Sequence, residues 1–264
     1  MAEPFDVVGK STPKRDGPEK VTGRTRYLHD LELPRLLHGK ILRTSVPHAR
    51  IVRIDTRRAR ALPGVVAVLT GEDVVQRPFG FAKDQVALKR GKVRCIRDEV
   101  AAVAAETAEI AEEALGLIEA DYAPLPAVFD PLAALEPGAP IVHEELGTNA
   151  HRLRFRFAHG DVDRAFAEAA AVIEDTYRLN FVTPACLGTM VAIADWEATG
   201  NLTMWSTTQV PFLYQRDLGE ALGIGGERVR VLQPPVGGNF GRGLDIYPID
   251  VIAAQLARAM TSIG

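Results

Sequence analysis

The chain has 264 residues, 47% of them hydrophobic and 25% charged, with 23 Gly and 17 Pro. That globular balance excludes a disordered chain, a collagen-like repeat and a coiled coil. Its 31 Lys and Arg against 34 Asp and Glu leave a net charge of −3, so no overall field favours nucleic acid or an anionic membrane, and neither is expected as a partner. Cys95 and Cys186 lie far apart and outside any CxxC spacing. A disulfide framework, a zinc ribbon or an iron–sulfur ligand set within this chain is therefore not expected. The start, Met-Ala-Glu-Pro-Phe-Asp, lacks the basic and then apolar pattern of a secretion signal. No run of about 18 apolar residues offers a membrane span, and a reducing cytoplasm is the expected compartment.

Residues 1–18 are polar and Pro-rich, an extended lead-in. Residues 19–130 alternate strand and helix patterns. Leu37–Leu42, Ile51–Ile54, Val65–Leu69, Glu99–Ala104 and Leu117–Tyr122 read as strands. Thr56–Leu62 reads as a short helix stopped by Pro63-Gly64. Thr107 is placed to cap a helix whose apolar stripe is Ile110, Ala111, Ala114, Leu115 and Ile118. Residues 131–159 are rich in Pro, Ala and Gly and read as a linker. Within it Arg152, Arg154 and Arg156 alternate with Leu153, Phe155 and Phe157, the pattern of a half-buried strand with a solvated Arg face. Residues 160–264 read as a second domain. Asp161 caps a helix over Val162–Ala171, and Val172–Tyr177 alternates as a strand. Met190–Trp196 and Leu202–Ser206 form a hairpin through Thr199-Gly200-Asn201. Pro211 starts a helix that Gly223 ends. Val229–Leu232 is a strand, and Asp245 opens a last helix with the stripe Ile249, Ile252, Ala253, Leu256 and Met260. That stripe is expected to leave an exposed apolar patch unless it packs on earlier strands.

Most short motifs fail on their spacing. Gly9-Lys10-Ser11 would need a glycine where Pro4 stands to be a phosphate-binding loop. His143-Glu144-Glu145 lacks the second His of a zinc motif, because position 147 is Gly. The Arg run from Arg50 to Arg60 is a solvated face. There is no Gly-x-Ser-x-Gly elbow, and Asn201-Leu202-Thr203 is a turn before a strand. Gly237-Gly238-Asn239-Phe240-Gly241-Arg242-Gly243 misses the dinucleotide fingerprint, since Phe240 stands at its second glycine. It is nevertheless the most informative segment. It has four glycines in seven residues between a strand and a helix, where free N–H groups can gather around an anion. A simple tight turn would show the same glycines.

Several segments, in order, resemble the molybdopterin-binding large subunit of the xanthine dehydrogenase, aldehyde oxidase and carbon monoxide dehydrogenase family. They are Asp16-Gly17-Pro18-Glu19-Lys20-Val21-Thr22-Gly23, Leu37-His38-Gly39-Lys40-Ile41-Leu42-Arg43-Thr44-Ser45, Pro47-His48-Ala49-Arg50-Ile51, Tyr122-Ala123-Pro124-Leu125-Pro126-Ala127-Val128 and Gly160-Asp161-Val162-Asp163. The resemblance implies an α+β architecture: an α/β hammerhead domain followed by the first part of a molybdenum-cofactor-binding domain. It implies an oxidoreductase acting on an aromatic, heterocyclic or aldehyde substrate with oxygen from water. The cofactor would be molybdopterin, in its cytosine dinucleotide form. Electrons would pass to iron–sulfur clusters and FAD held in an iron–sulfur subunit and a FAD subunit. Thr207-Thr208-Gln209 resembles the family's Ser-Thr-Gln, which gives Gln209 the hydrogen bond to a molybdenum oxo ligand. The loop Gly237–Gly243 resembles the family's Gly-Gly-Gly-Phe-Gly-Gly-Lys. Phe240 becomes the substrate-facing ring, and Gly237, Gly238, Asn239, Gly241 and Arg242 face the cofactor. No residue is expected to ligate metal.

Departures accompany the likeness. Asn239, Arg242 and Gly243 replace the family's Gly, Gly and Lys. Pro184 and Gly188 stand where many members carry a His and a Glu, within Phe181–Val191, which hints at aromatic acids or their thioesters as substrates. The family's glutamate base and the remaining half of the cofactor region fall beyond Gly264, so that half is an expected partner. The alternative is a catalytically inactive module without cofactor.

Overall fold

A computed structural model describes residues 5–151 and 153–261. Pro4 and Arg152 lie outside them. A short helix α1 (Gly17–Val21) ends the lead-in. The first sheet has the order β1 (His38–Arg43), β5 (Glu99–Ala105), β3 (Val65–Thr70), all antiparallel. A second antiparallel sheet runs β4 (Lys92–Val93), β2 (Ala49–Asp55), β6 (Glu119–Pro124). The third has β7 (Ala192–Trp196) antiparallel to β8 (Leu202–Ser206), which pairs in parallel with β9 (Val229–Leu232).

Strand β5, Glu-Val-Ala-Ala-Val-Ala-Ala, is buried along its whole length. Its small residues let layers pack on both faces. Ala101 and Val103, with Val68 of β3, pack against Ala59 of α2 (Arg57–Arg60) and Ala114 of α3 (Ala108–Gly116). Thr107 Oγ1 caps α3 by accepting from the Ile110 N–H. Ala102 and Ala104, with Ala67 and Leu69, face the other way. They join Leu202 and Met204 of β8, Leu218 of α5 (Pro211–Leu222), and Val251, Ile252 and Leu256 of α6 (Pro248–Thr261) in one core. That core is built from both halves of the sequence.

The last helix therefore departs from expectation. It starts at Pro248, whose fixed φ suits a first turn, and not at Asp245. Asp245 instead accepts from the backbone N–H of Phe81. Its stripe is largely covered, with Ile252 and Leu256 buried and Ile249, Ala253 and Met260 half-buried, since α6 packs against β3, β5, β7 and α5. Trp196 Nε1 also donates to Ala254 O at 2.8 Å.

Two expected strands are absent. Residues 153–157, the described part of the first, and Val172–Tyr177 have no ladder, and Phe157 and Ile173 are each 92% exposed. A strand persists only when its amides and carbonyls find a neighbour; among the described residues none lies alongside these segments. Asp161 caps the helix α4 as expected, through Arg164 N–H, but α4 spans Val162–Glu168 and stops short of Ala171. The first part of the linker is not free. Asn149 binds Val142 N–H, Ala134 O and Pro140 O, and Lys92 Nζ donates to Val142 O and Glu144.

Candidate functional site

β8 ends at Ser206 and delivers Thr207-Thr208-Gln209 to the start of α5. β9 delivers the glycine loop to a turn, Arg242–Leu244, ahead of α6. Because β8 and β9 are neighbours, their two outgoing segments meet. Five hydrogen bonds join them. Gln209 N–H donates to Gly243 O at 2.8 Å, and Thr208 Oγ1 donates to the same oxygen at 3.3 Å. Asn239 Nδ2 donates to Thr207 O at 2.7 Å. The N–H groups of Gly241 and Gly243 both donate to Gln209 Oε1, at 3.1 and 3.2 Å.

That convergence fixes the Gln209 amide. Two donors aimed at one atom require it to be the oxygen. Nε2, the donor end, is left for another group, and Gln209 is exposed. The loop adds further donors. Among the described residues none accepts from the N–H groups of Gly238, Asn239 or Phe240. Gly238 has φ +106° and Phe240 φ +49°, a left-handed turn of the kind that gathers amides. Phe240 holds this conformation without being a glycine, at a cost of about 1–2 kcal/mol. The residue is 81% exposed.

Gly188 meets the loop from the side. A Cβ on it would lie 2.8 Å from Gly237 Cα, so no side chain fits at that crossing. Gly188 N–H donates to Gly237 O, and Arg242 Nη2 donates to Gly188 O at 3.0 Å. Arg242 Nε is buried with no partner among the described residues. Arg242 is thus turned inward onto backbone, and its charge stays at the loop.

Behind Thr207 lies a buried polar knot. Asp250, in the first turn of α6, accepts from Tyr214 Oη at 2.8 Å, Ser206 Oγ at 3.2 Å and Tyr247 N–H at 2.9 Å. Burial pushes the Asp250 carboxyl up to about 6, against the lowering effect of those donors. Tyr214 is pushed well above its usual range, first by burial and then by the Asp250 charge.

The structure brings Gln209, Gly237, Gly238, Asn239, Phe240, Gly241 and Arg242 together at one place. Sequence reasoning missed the Gly188 crossing and the Asp250 knot. Gly188 stood out only as a departure, and Asp250 only as part of a helix. Among the described residues no three His, Cys, Asp or Glu side chains are placed to hold a metal ion. No helix of the described residues is long and apolar enough to cross a membrane.

This donor-rich face fits one wall of an anionic, oxygen-rich cofactor. It offers an amide donor, unspent backbone N–H groups and a cation, while the acceptors on Gln209 and Gly243 are already satisfied. The aldehyde oxidase and xanthine dehydrogenase a/b hammerhead domain matches residues 22–126, and the molybdopterin cofactor-binding domain matches residues 142–262. The chain belongs to the xanthine dehydrogenase, aldehyde oxidase and carbon monoxide dehydrogenase family of molybdenum-hydroxylase large subunits.

Among individual proteins, it is 35% identical to the nicotinate dehydrogenase large molybdopterin subunit of Eubacterium barkeri, over 93% of this chain and 58% of that one. It is 37% identical to the carbon monoxide dehydrogenase large chain of Afipia carboxidovorans, over 85% of this chain and 30% of that one. The solved structure of quinoline 2-oxidoreductase from Pseudomonas putida superposes with a TM-score of 0.84 at 32% identity, over 96% of this chain and 33% of that one. The chain therefore spans between about three tenths and three fifths of the length of these relatives.

Proposed function

We propose that this chain provides one wall of a molybdenum-cofactor site in a heteromeric oxidoreductase. The observation that carries the reading is the Gln209 amide. Its oxygen is occupied by Gly241 and Gly243 N–H, and its nitrogen is presented beside the unspent amides of Gly238, Asn239 and Phe240. In this reading Gln209 Nε2 donates to an oxygen on the bound group. The loop amides and Arg242 balance its negative charge, with no reorganisation needed at the moment of reaction. Phe240 presents an apolar ring to a flat aromatic, heterocyclic or aldehyde substrate. When bound, the molybdenum cofactor supplies two-electron oxidation with oxygen taken from water. A cytosine dinucleotide form, cytoplasmic location, and iron–sulfur and FAD subunits as electron acceptors belong to the same proposal.

The opposite wall comes from a further cofactor-binding region in this reading. The support is physical: Leu187, beside the Gly188 crossing, is fully exposed, and so are most apolar side chains from Phe155 to Phe181. A surface of that kind marks an interaction site. It also supports a second reading, an interaction module that holds no cofactor. Co-expression with candidate partner chains, followed by molybdenum analysis of the purified complex, separates the two. Stoichiometric molybdenum that falls in Gln209→Leu supports the first. A stable complex that never contains molybdenum sinks it.

A further inference from the structure

We infer that Asn239 is a positioning residue that aims the Gln209 side chain by occupying the space a side chain at position 243 would need. Three observations carry this. First, Asn239 is buried, and its Nδ2 donates to Thr207 O, two residues before Gln209. The Thr207 carbonyl fixes the amide orientation, because Oδ1 in that place would set two acceptors face to face. Second, Gly243 is the hub of the joint. Its N–H donates to Gln209 Oε1, and its carbonyl accepts from Gln209 N–H and Thr208 Oγ1. Third, a Cβ on Gly243 would fall against the Asn239 nitrogen and lie 2.9 Å from its Cγ and Oδ1. Gly243 has φ −92°, so its backbone does not demand glycine; the space filled by Asn239 does.

The two positions therefore act as one device. Remove the Asn239 amide and Thr207 loses its tie to the loop. Add a methyl group at 243 and the amide must swing away, which breaks the same bond. Either change removes one of the five bonds between the Thr207–Gln209 segment and the loop, so the pair of amides that aims Nε2 through Gln209 Oε1 is held less firmly. The proposed function gives this aim its purpose, but the device itself involves only residues of this chain.

The test uses the full chain without cofactor, so a failure to load molybdenum leaves it intact. Amide exchange and the Gln209 side-chain resonances are followed by NMR in Asn239→Gly, Asn239→Asp, Gly243→Ala and the double variant Asn239→Gly/Gly243→Ala. Exchange at Gly241 and Gly243 is expected to rise roughly three- to tenfold in each single variant, as loss of one buried hydrogen bond gives. The two Gln209 side-chain amide resonances should move toward their free values. Amides of β8 and α6 should be unchanged. Asn239→Asp keeps the shape but puts an acceptor against Thr207 O, so it separates the hydrogen bond from mere packing. The double variant should be no worse than Asn239→Gly, since both changes break one bond. Additive effects in the double variant would overturn the inference. So would unchanged exchange and resonances in Asn239→Asp, which decides the matter even if Gly243→Ala fails to fold.

Discussion

Tyr214 donates its hydroxyl to Asp250 Oδ1 across 2.8 Å, and both side chains are buried where α5, α6 and β8 meet. The bond ties two helices together directly behind the segment that carries Gln209. Tyr214→Phe keeps the ring and removes the donor. It leaves a buried carboxylate with one fewer partner, a loss of about 1.5–3 kcal/mol. Denaturant unfolding should show a lower midpoint with an unchanged slope. A change below about 0.5 kcal/mol would mean that water replaces the hydroxyl there.

The same carboxylate predicts a pH response. Burial raises Asp250 to about 6 from the usual 3.8, so the folded chain holds this proton more tightly than the unfolded chain. Its contribution to stability is complete below pH 3.8 and is lost as the pH rises through 6, where it levels off. The span is of order 2–3 kcal/mol. Asp250→Asn cannot titrate and should remove this falling limb between about pH 4 and 6, whatever it does to the overall level. The quantity to compare is the slope of unfolding free energy against pH in the two proteins. Identical slopes would refute the assignment.

Much of this was legible in the sequence, and the reasons are local. Thr107, Pro211 and Gly223 set helix ends by chemistry within a few residues, and β5 declared itself by an unbroken apolar run. The resemblance pointed to Gln209 and to the glycine loop as separate segments; that the two meet follows from the pairing of β8 with β9, which the fold supplies. What stayed hidden depends on contacts distant in sequence. Asp250 meets Ser206 and Tyr214 across 44 and 36 positions, and nothing near Gly188 signals the Gly237 backbone against it. The alternation in 152–157 and Val172–Tyr177 reads as strand because composition describes what a segment can pair with. It does not describe whether the neighbour is present.

Ile252 tests whether the two halves of the sequence share one core. It lies on α6 among residues from β3, β5, β8 and α5. Ile252→Ala should cost about 2–5 kcal/mol and lower a single cooperative calorimetric transition. If the hammerhead half melted separately and unchanged, the common core would not be an energetic unit.

The exposed stretch from residue 153 to Leu187 should behave differently. Residues 153–185 are exposed throughout, so Phe157→Ser and Ile173→Ser should change stability by no more than about 0.5 kcal/mol. Both should reduce binding of a hydrophobic dye, because each removes an exposed apolar group. Trypsin should cut first at Arg154, Arg156 or Arg178, which lie in unpaired, exposed backbone, before any site in β1–β6. A partner that supplies strand neighbours would cover these bonds and slow the cleavage. Early cleavage within β2 or β5 instead would place the weak point in the hammerhead sheets and contradict the expectation.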